Sequence, residues 1–386
     1  MNFEVVVVGG GLAGAALARA LAPSSLALIA QRRPGADPPR AGFDARVYAI
    51  SPGNAGFLAR IGAWQELPAG CATPVHGMRI FGDDGSSCIE FDAYRTGVEA
   101  LAWIVEDRLL QGALWRTLER PDGPRLFAPA DCEEIEFGPD AAAIALSGGR
   151  ALRARLVVGA DGARSFVRAQ AGIGVDEAPY GHTAVVANFA CAKPHRNIAY
   201  QWFRNGPVLA LLPLPGDHVS MVWSTDDADA ARLRALAPAE LCAEVARASR
   251  HALGELALAT PPRAFPLARS VAARMVAPRA ALLGDAAHVV HPLAGQGANL
   301  GLQDARVLAH TLAARAPLRD PGDLRLLRRY ERGRAEAILA MRATVHGLFR
   351  LFEAKGPLAA RLRNAGLNLT ERAPVLKNLL IRQAML

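Results

Sequence analysis

The sequence predicts an α/β fold: a parallel sheet of the dinucleotide-binding type, interleaved with a second, antiparallel sheet and followed by a helical C-terminal region. Three observations predict this fold. Apolar runs at residues 3–8, 156–159 and 280–283 each lead into a turn that contains glycine. Residues 183–225 change to closely spaced strand-like segments. The segment after residue 306 has helical spacing, and 386 residues are enough for two or three subdomains.

Composition limits the class of protein. The chain is 51% hydrophobic and 21% charged, which is typical of a globular protein with a sizeable core. Its five cysteines are scattered without a C-x-x-C pair, which argues against a disulfide framework or a zinc site and favours a reducing compartment. We see neither a signal peptide nor an apolar run of about 18 residues, so we expect a cytoplasmic protein.

Positive charge is concentrated toward the C-terminal end. Residues 306–386 contain 16 Lys and Arg against 6 Asp and Glu, whereas the whole chain has a net charge of +8. A solvated helix face, a membrane surface, an acidic partner or nucleic acid could each explain this segment. Val345, Leu348, Phe349 and Phe352 recur at helical spacing, so this stripe could either pack on the rest of the chain or dock at a membrane.

The N-terminal motif is Gly9-Gly10-Gly11-Leu12-Ala13-Gly14, which lies between the strand at 3–8 and an Ala-rich helix, with a second apolar run at 26–30. A G-x-G-x-x-G turn in this strand–helix–strand context predicts a dinucleotide site. Gly9 permits the tight turn, Gly11 lets the backbone approach a pyrophosphate, and Gly14 lets the helix pack on the strand.

One position departs from this fingerprint. The acid expected about 20 residues later, which binds the adenosine ribose, is replaced by Ala30. Gln31 could still bond a ribose hydroxyl, and Arg32 could either favour a phosphate or be a plain surface residue.

Other segments follow recognisable patterns. We predict a helix over 52–61, a β-hairpin over 78–91 and short strands over 126–146. Helical patterns extend over 101–118, where Leu110, Leu114 and Leu118 share a face, and over 238–258.

Two further motifs join the first. Asp161-Gly162 and Gly284-Asp285 each follow an apolar strand, and the latter continues through Pro292 to Gly297 into a helix. Ligands of open α/β sheets lie at the carboxyl ends of the strands. Three such sites along one sheet edge suit one long ligand, which favours FAD over a nicotinamide cofactor alone.

With these motifs in place, the chain resembles the group A flavoprotein aromatic hydroxylases, which share the para-hydroxybenzoate hydroxylase-like fold. Within that group it is most similar to the ubiquinone-biosynthesis hydroxylases. The matching pieces beyond the three motifs are Asp44-Ala45-Arg46, Ala49-Ile50-Ser51, Ile104-Val105-Glu106, Gln201-Trp202-Phe203, Val222-Trp223-Ser224 and residues 379–385.

The resemblance implies a Rossmann-type FAD-binding domain formed by residues 1–74, 97–179 and 269–318. It also implies a substrate-binding β-sheet domain at 75–96 and 180–268, and a C-terminal helical region at 319–386. The implied residues at the reacting centre are Pro292, Gly295, Gln296 and Gly297. The implied cofactor-binding residues are Gly9, Gly11, Ala13, Gly14, Gln31, Arg46, Arg108, Asp161, Gly284, Asp285, Gly295, Gly297, Ala298 and Asn299.

Individual roles follow from the same resemblance. Asp285 would bond the ribityl chain, and backbone N–H groups at Gly295 to Gly297 would face the flavin pyrimidine. Arg46 and Arg108 would lie near the diphosphate or flavin edge, although either could be a plain ion-pair partner. The carbonyl of Pro292 would meet a substrate hydroxyl.

The implied reaction is hydroxylation of a polyprenylated phenol in ubiquinone biosynthesis. NAD(P)H reduces FAD, O₂ adds to give a C4a-hydroperoxide, and OH passes to the ring. Two alternatives stay open: a same-fold prenyl reductase or epoxidase, and a basic membrane- or nucleic-acid-binding module. For the enzyme we expect the phenol and O₂ as partners, contact with a membrane or a lipid-carrying protein through the C-terminal helices, and no nucleic acid.

Some conspicuous side chains have an ordinary structural interpretation as well. His288 and His291 are spaced as metal ligands can be, but we find no third ligand and favour a hydrogen-bonding role without metal. Trp202, Phe203 and Trp223 could line the substrate cavity, but a place in the core is the better prediction for aromatic residues on strands.

Overall fold

The computed structural model describes residues 1–23, 25–34, 42–84, 87–204, 206–289 and 297–353, and from residue 342 onward it describes the backbone alone. Within these residues the α-helices are α1 (Leu12–Leu21), α2 (Pro52–Arg60), α3 (Asp107–Leu118), α4 (Phe166–Gln170), α5 (Asp227–Ala235), α6 (Pro238–Ala248), α7 (Gly297–Ala313) and α8 (Leu324–Glu353). Short 3₁₀ turns lie at Trp64–Glu66, Tyr94–Thr96 and Gly284–Ala286.

The strands of the same residues are, in chain order, β1 (Asn2–Val8), β2 (Leu26–Ile29), β3 (Val47–Ile50), β4 (Thr73–Val75), β5 (Gly77–Phe81), β6 (Cys88–Asp92), β7 (Ala102–Glu106), β8 (Arg125–Phe127), β9 (Cys132–Phe137), β10 (Ala142–Leu146), β11 (Arg150–Gly159), β12 (Val175–Cys191), β13 (Ile198–Phe203), β14 (Val208–Leu214), β15 (His218–Asp226), β16 (Leu256–Leu258), β17 (Arg263–Ala272), β18 (Val276–Ala277), β19 (Ala280–Leu282) and β20 (His288–Val289).

The first sheet has the order β18-β19-β11-β1-β2-β8, with β10 and β9 added beyond the N-terminal part of β11. Its central pairs, β19–β11, β11–β1, β1–β2 and β2–β8, are parallel. Val5 to Val8 are buried on both faces of β1, as expected for a parallel sheet covered on each side. Because β1, β11 and β19 run in one direction, the turns that follow them meet at one sheet edge.

The second sheet has the order β20-β17-β12-β15-β14-β13-β5-β6, with β16 paired to β12. Its pairs are antiparallel except for β13 and β5, which run parallel. Residues Val185, Ala187 and Phe189 face a core that α5 and α6 complete. The alternate residues point to the opposite side of the sheet, where the Nδ2 of Asn188 donates to the carbonyl of Asp44, just before β3, at 2.8 Å. A third, antiparallel sheet has the order β3-β7-β4.

Most predicted elements are present, and the hairpin at 78–91 is confirmed as the β5–β6 pair. Two helix predictions are partly wrong. Residues 102–106 form β7, because β3 and β4 offer it edges on both sides, and the helix begins only at Asp107. Helix α6 ends at Ala248, where Arg250 and His251 adopt positive φ, and residues 256–258 instead pair with β12.

All five cysteines are free in the structure. Among the described residues, no helix combines the length and the apolar character needed to cross a membrane. The apolar pattern at residues 376–385 of the C-terminal segment lies outside the described residues, as does residue 291.

Candidate active site

A cleft of about 1400 Å³ opens at the carboxyl ends of β1, β2 and β11. Its floor is the turn at residues 9–11 together with residues 160–162. One face of α3, with Glu119 directly after the helix, forms a wall. Pockets for drug-sized ligands span about 300–1,000 Å³. The cleft therefore has room for a dinucleotide.

The glycines of the first turn have different surroundings. Gly9 has φ +113°, and a Cβ there would lie 2.2 Å from the carbonyl oxygen of Ala160. A Cβ on Gly14 would lie 2.0 Å from the carbonyl oxygen of Gly9, so α1 can approach the turn only through glycine. A Cβ on Gly11 would meet nothing within 4 Å, which leaves the main chain open toward a ligand.

Trp115 of α3 supports this turn, a role that no local pattern in the sequence indicates. Its Nε1 donates to the carbonyl of Gly10 at 2.9 Å, and a Cβ on Gly10 would lie 2.6 Å from the indole ring. Gly10, the second glycine of the run, is therefore required by the packing of α3.

Asp161 lies in the floor of the cleft, and one of its carboxylate oxygens has no hydrogen-bond partner among the described residues. Its Oδ2 accepts the N–H of Val167 at 3.0 Å, whereas Oδ1 is buried and has no hydrogen-bond partner within the described parts of the chain. A buried acceptor without a donor is costly. A ligand hydroxyl at this point of the cleft would satisfy it, so the site fits a nucleotide cofactor.

The second and third motifs are tied together. Ser165 caps α4 by accepting the N–H of Arg168 at 3.0 Å, and the buried guanidinium of Arg168 donates to the carbonyl of Ala286 at 3.0 Å. Asp285 beside it is exposed. Protein atoms around its carboxylate reduce the hydration of the charged form, and this raises the pKa of Asp285. The charges of His288 and Arg46 act in the opposite direction.

Comparison with known proteins agrees with this geometry. The model of the FAD binding domain family matches residues 2–344. The ubiquinone hydroxylase UbiL of Rhodospirillum rubrum is 38% identical, over 99% of this chain and 89% of that protein. The 3-demethoxyubiquinol 3-hydroxylase of Escherichia coli is 34% identical, over 99% of this chain and 98% of that one. The chain belongs to this family of FAD-binding hydroxylases.

Solved structures agree. PqsL of Pseudomonas aeruginosa, described as a probable FAD-dependent monooxygenase, has a TM-score of 0.80 and 25% identity, covering 95% of this chain and 99% of that one. Klebsiella pneumoniae HpxO with FAD and uric acid has a TM-score of 0.75 at 17% identity and shows the shared fold. This protein is thus an FAD-dependent aromatic monooxygenase with FAD as cofactor and NAD(P)H as reductant, and its reaction requires O₂ and a phenolic substrate.

The end of the cleft beside β2 has no acid at position 30. Ala30 is buried, its N–H donates to the carbonyl of Phe127, and its own carbonyl accepts the N–H of Ala130. Gln31 is exposed in the cleft, and Glu119 reaches the same rim, where it lies 3.5 Å from Arg33.

Cys132 also lines the cleft. Burial, Asp161 and Asp131 raise the pKa of its thiol to about 12, so the thiol is protonated.

The two arginines differ in their partners. Arg108 is half-buried, 3.1 Å from Glu106 and 2.5 Å from the carbonyl of Gly42, and it also lines the cleft. The exposed Arg46 lies 5.4 Å from the ring centre of Phe265. Burial lowers the pKa of Arg46, but electrostatic interactions with Tyr48, Asp107 and Asp285 outweigh the effect of burial, so the pKa is raised.

His288 is a buried hydrogen-bonding residue. Its Nε2 lies 2.8 Å from Oδ2 of Asp304, and no group of possible metal ligands occurs among the described residues. Burial lowers the pKa of His288, but the charge of Asp304 and its hydrogen bond together outweigh burial, so the pKa of His288 is raised. The same interactions lower the pKa of Asp304 although that residue is buried.

Two residues that the sequence predicted as cofactor contacts, Asn299 and Ala13, also make contacts within the protein. The side chain of Asn299 donates to the carbonyl of Ala49 at 2.8 Å and accepts the N–H of Ser51 at 3.0 Å, so it joins α7 to β3. Ala13 lies at the crossing of α1 and α7, where a Cβ on Gly301 would be 3.2 Å from its own. Their contacts with FAD stay predictions.

The loop before α7 is only partly described. Pro292, Gly295 and Gln296 lie outside the described residues. Gly297 and Ala298 form the start of α7 and are half-buried.

The tryptophans of the second sheet belong to its core. Trp202 stacks between Phe81 and Tyr200 at 5.5 and 5.6 Å and, with Trp223, faces α5 and α6. The opposite face carries a cross-strand row that sequence reasoning missed, because only the strand register assembles it: Val186, Val222, Ala210 and Gln201. Phe203 lies on that face too, packed with Val208 and Ile80.

Proposed function

We propose that this protein hydroxylates a ring carbon of a polyprenylated phenol in ubiquinone biosynthesis. The observation that carries the proposal is the link between the Gly284-Asp285 turn and the second sheet. Strand β20 follows that turn directly and pairs with β17 through His288 and Val289. The turn that would receive the flavin is therefore joined through β20 to the same sheet that carries the apolar row Val186, Val222 and Ala210. The names of the two bacterial relatives supply the substrate class.

Each part of the cleft then has a role in holding FAD. The turn at Gly9 to Gly14 and the N-terminus of α1 would bind the diphosphate. Oδ1 of Asp161 would accept a hydrogen bond from a cofactor hydroxyl, and Asp285 would bond the ribityl chain. Gln31 and Arg108 line the cleft and would contact its remaining length. Arg46 would lie near the flavin edge, and the main chain at Gly295 and Gly297 would face the flavin pyrimidine.

Bound FAD supplies the redox chemistry that activates O₂ for transfer of an OH group to the ring. The residues of the chain orient the phenol and exclude water. The row of Val186, Val222 and Ala210 suits a prenylated ring, because apolar side chains favour its burial and displace solvent. The carbonyl of Pro292 would hold the substrate hydroxyl. We also propose that the domain boundaries follow the sequence prediction.

The test uses purified protein loaded with FAD, NAD(P)H and a short-chain prenylated phenol under ¹⁸O₂. We expect phenol-stimulated consumption of NAD(P)H and one ¹⁸O atom on the aromatic ring, read by mass spectrometry. A product with ¹⁸O in the prenyl chain would instead identify an epoxidase, and a saturated chain without ¹⁸O would identify a reductase. Deletion of the gene should cause an under-hydroxylated quinone precursor to accumulate.

We propose, in addition, that the C-terminal helical region contacts an anionic membrane surface, where a polyprenylated substrate is found. The solvent face of α8 supports this, because Arg325, Arg328, Arg329 and Arg332 are all exposed at i, i+3, i+4 and i+7. Each basic residue near an anionic surface contributes about 1 kcal/mol.

Vesicle co-sedimentation tests this contact. Replacing the four arginines by Gln should reduce binding to anionic vesicles, with little binding of either protein to neutral ones. The control carries Gln at four other exposed arginines, Arg95, Arg153, Arg234 and Arg263, and so has the same net charge. Equal losses in both variants would reject a specific surface on α8.

A further inference from the structure

A cluster of three charged side chains lies buried beneath the Gly284-Asp285 turn. Asp304 of α7 is 0% exposed, His288 of β20 is 4% exposed and Arg334 of α8 is 3% exposed. Oδ2 of Asp304 lies 2.8 Å from Nε2 of His288, and Oδ1 lies 2.6 Å from Nε of Arg334. Three separate elements thus meet at one carboxylate.

The same carboxylate holds the turn itself. Oδ2 of Asp304 accepts the N–H of Gly284 at 2.9 Å. Gly284 has φ +59°, a conformation that favours glycine, and it immediately precedes Asp285. Asp304 is therefore bonded to the residue next to the predicted ribityl contact, and with no exposed surface it does not reach the cleft itself.

Stability alone does not explain such a cluster. Burying charges costs desolvation free energy, and well-packed apolar residues of similar volume often stabilise a core as well or better. What a carboxylate with several directional partners provides is a fixed geometry. Here the fixed atoms are a main-chain N–H of the turn and the ring of His288, which begins β20.

Two neighbouring contacts add to the same arrangement. The hydroxyl of Tyr330 on α8 donates to the carbonyl of Leu282, two residues before the turn, at 2.8 Å. Arg168 donates to the carbonyl of Ala286, on the far side of Asp285. Asp285 is thus flanked on both sides by main-chain groups that buried side chains hold.

We propose that Asp304, His288 and Arg334 are positioning residues that hold the Gly284-Asp285 turn in the shape that receives the flavin half of FAD. The inference rests on the proposed function only in placing that half at Asp285. It predicts that the cluster governs binding of the flavin half and has no effect on binding of the adenine half.

The test is the affinity of the Asp304→Asn variant for FAD and for ADP, measured by titration calorimetry. ADP occupies only the end of the cleft at the Gly9–Gly14 turn. Loss of a charged, buried hydrogen-bond acceptor should weaken FAD binding by about tenfold or more. The affinity for ADP should stay within about twofold. The visible circular dichroism of bound FAD should also change, since it reports the surroundings of the isoalloxazine ring.

Asp320→Asn is the matched control. Asp320 pairs with the buried Arg279 at 2.7 Å, outside the residues that line the cleft. We expect this variant to lower the melting temperature and leave the ratio of the two affinities unchanged. An equal loss of FAD and ADP affinity in Asp304→Asn, or no loss of either, would overturn the proposal.

A second pair of variants decides the matter if Asp304→Asn does not fold. His288→Gln keeps an N–H donor for Asp304, whereas His288→Leu removes it. We expect the Gln variant to retain more FAD affinity than the Leu variant, with equal ADP affinity. Equal FAD affinity in the two variants would reject the role of His288. A wild-type protein that binds FAD but hydroxylates no phenol would reject the proposed function and leave this inference standing.

Discussion

At the level of single residues, two glycines of the first turn are needed for different reasons: one for ligand binding and one for helix packing. Gly11 has φ −71°, which any residue can adopt, and open space where a Cβ would lie. At Gly14 the corresponding position is occupied by the carbonyl oxygen of Gly9. The two glycines therefore serve different ends although they belong to one motif.

Alanine substitutions should show this difference. Gly11→Ala is expected to keep the melting temperature of the apoprotein but weaken FAD binding, because the methyl group occupies space that the cofactor needs. Gly14→Ala should lower the free energy of unfolding by about 1–3 kcal/mol through overpacking. Urea denaturation and FAD titration of both variants test this. An unstable Gly11→Ala protein with normal FAD affinity would contradict the assignment.

Ala30 offers a gain of function. Ala30→Glu restores the carboxylate that the dinucleotide fingerprint expects, and a hydrogen bond to a charged acceptor contributes about 1.5–3 kcal/mol. We therefore expect FAD affinity to rise about tenfold, with Ala30→Gln as the uncharged control of the same size. Unchanged affinity in Ala30→Glu would indicate that Gln31 and Glu119 already satisfy the ribose.

At the level of elements, α3 is the support of the cofactor cleft. One of its faces lines the cleft, and its Trp115 bonds the first turn while Leu110, Leu114 and Leu118 are buried in the main core. Because α3 is anchored in the core, it holds the residues that would contact FAD in a fixed position.

Trp115→Phe removes the indole N–H while keeping most of the ring. The lost bond to Gly10 should lower the free energy of unfolding by about 1 kcal/mol and loosen the turn, so FAD affinity should fall several-fold. FAD binding should also quench the fluorescence of the wild-type protein more strongly than that of the variant. Identical quenching in both would show that FAD does not lie beside α3.

At the level of the whole molecule, the buried cluster at Asp304 links α7, α8 and the second sheet. Its stability contribution depends on pH. The pKa of His288 is raised above its ordinary value of 6.5 in the folded protein, where burial lowers it but the interaction with Asp304 prevails. The stabilisation from its proton is therefore complete below about pH 6.5 and is lost as pH rises through the folded-state pKa.

The difference in unfolding free energy between wild type and His288→Gln should therefore be larger at pH 6 than at pH 9. Denaturant titrations across this range measure it. His310→Gln, on the same helix as Asp304, is the control for general titration of histidine. A difference that grew with pH would show that His288 is neutral in the folded protein.

Local sequence was sufficient for the strand–turn–helix around Gly9 to Gly14, for the two later glycine–aspartate turns and for FAD as ligand. Each of these depends on residues close together in the chain, whose backbone geometry and strand position are set locally. The family resemblance added the reaction and the substrate class. It also named Asn299, whose side chain the structure shows bonded to β3 and Ser51.

Only the tertiary structure revealed Trp115 beneath Gly10, β7 in place of the first turn of a helix, and Asp304 beneath Gly284. Each of these depends on partners far away in the chain: 105 residues separate Trp115 from Gly10, and 20 separate Asp304 from Gly284. A helical or strand-like pattern states which face is buried but not what covers it. Long-range packing decides which residues cover that face. It therefore also decides whether a segment becomes a strand or a helix, and whether a side chain contacts the ligand or holds another residue in place.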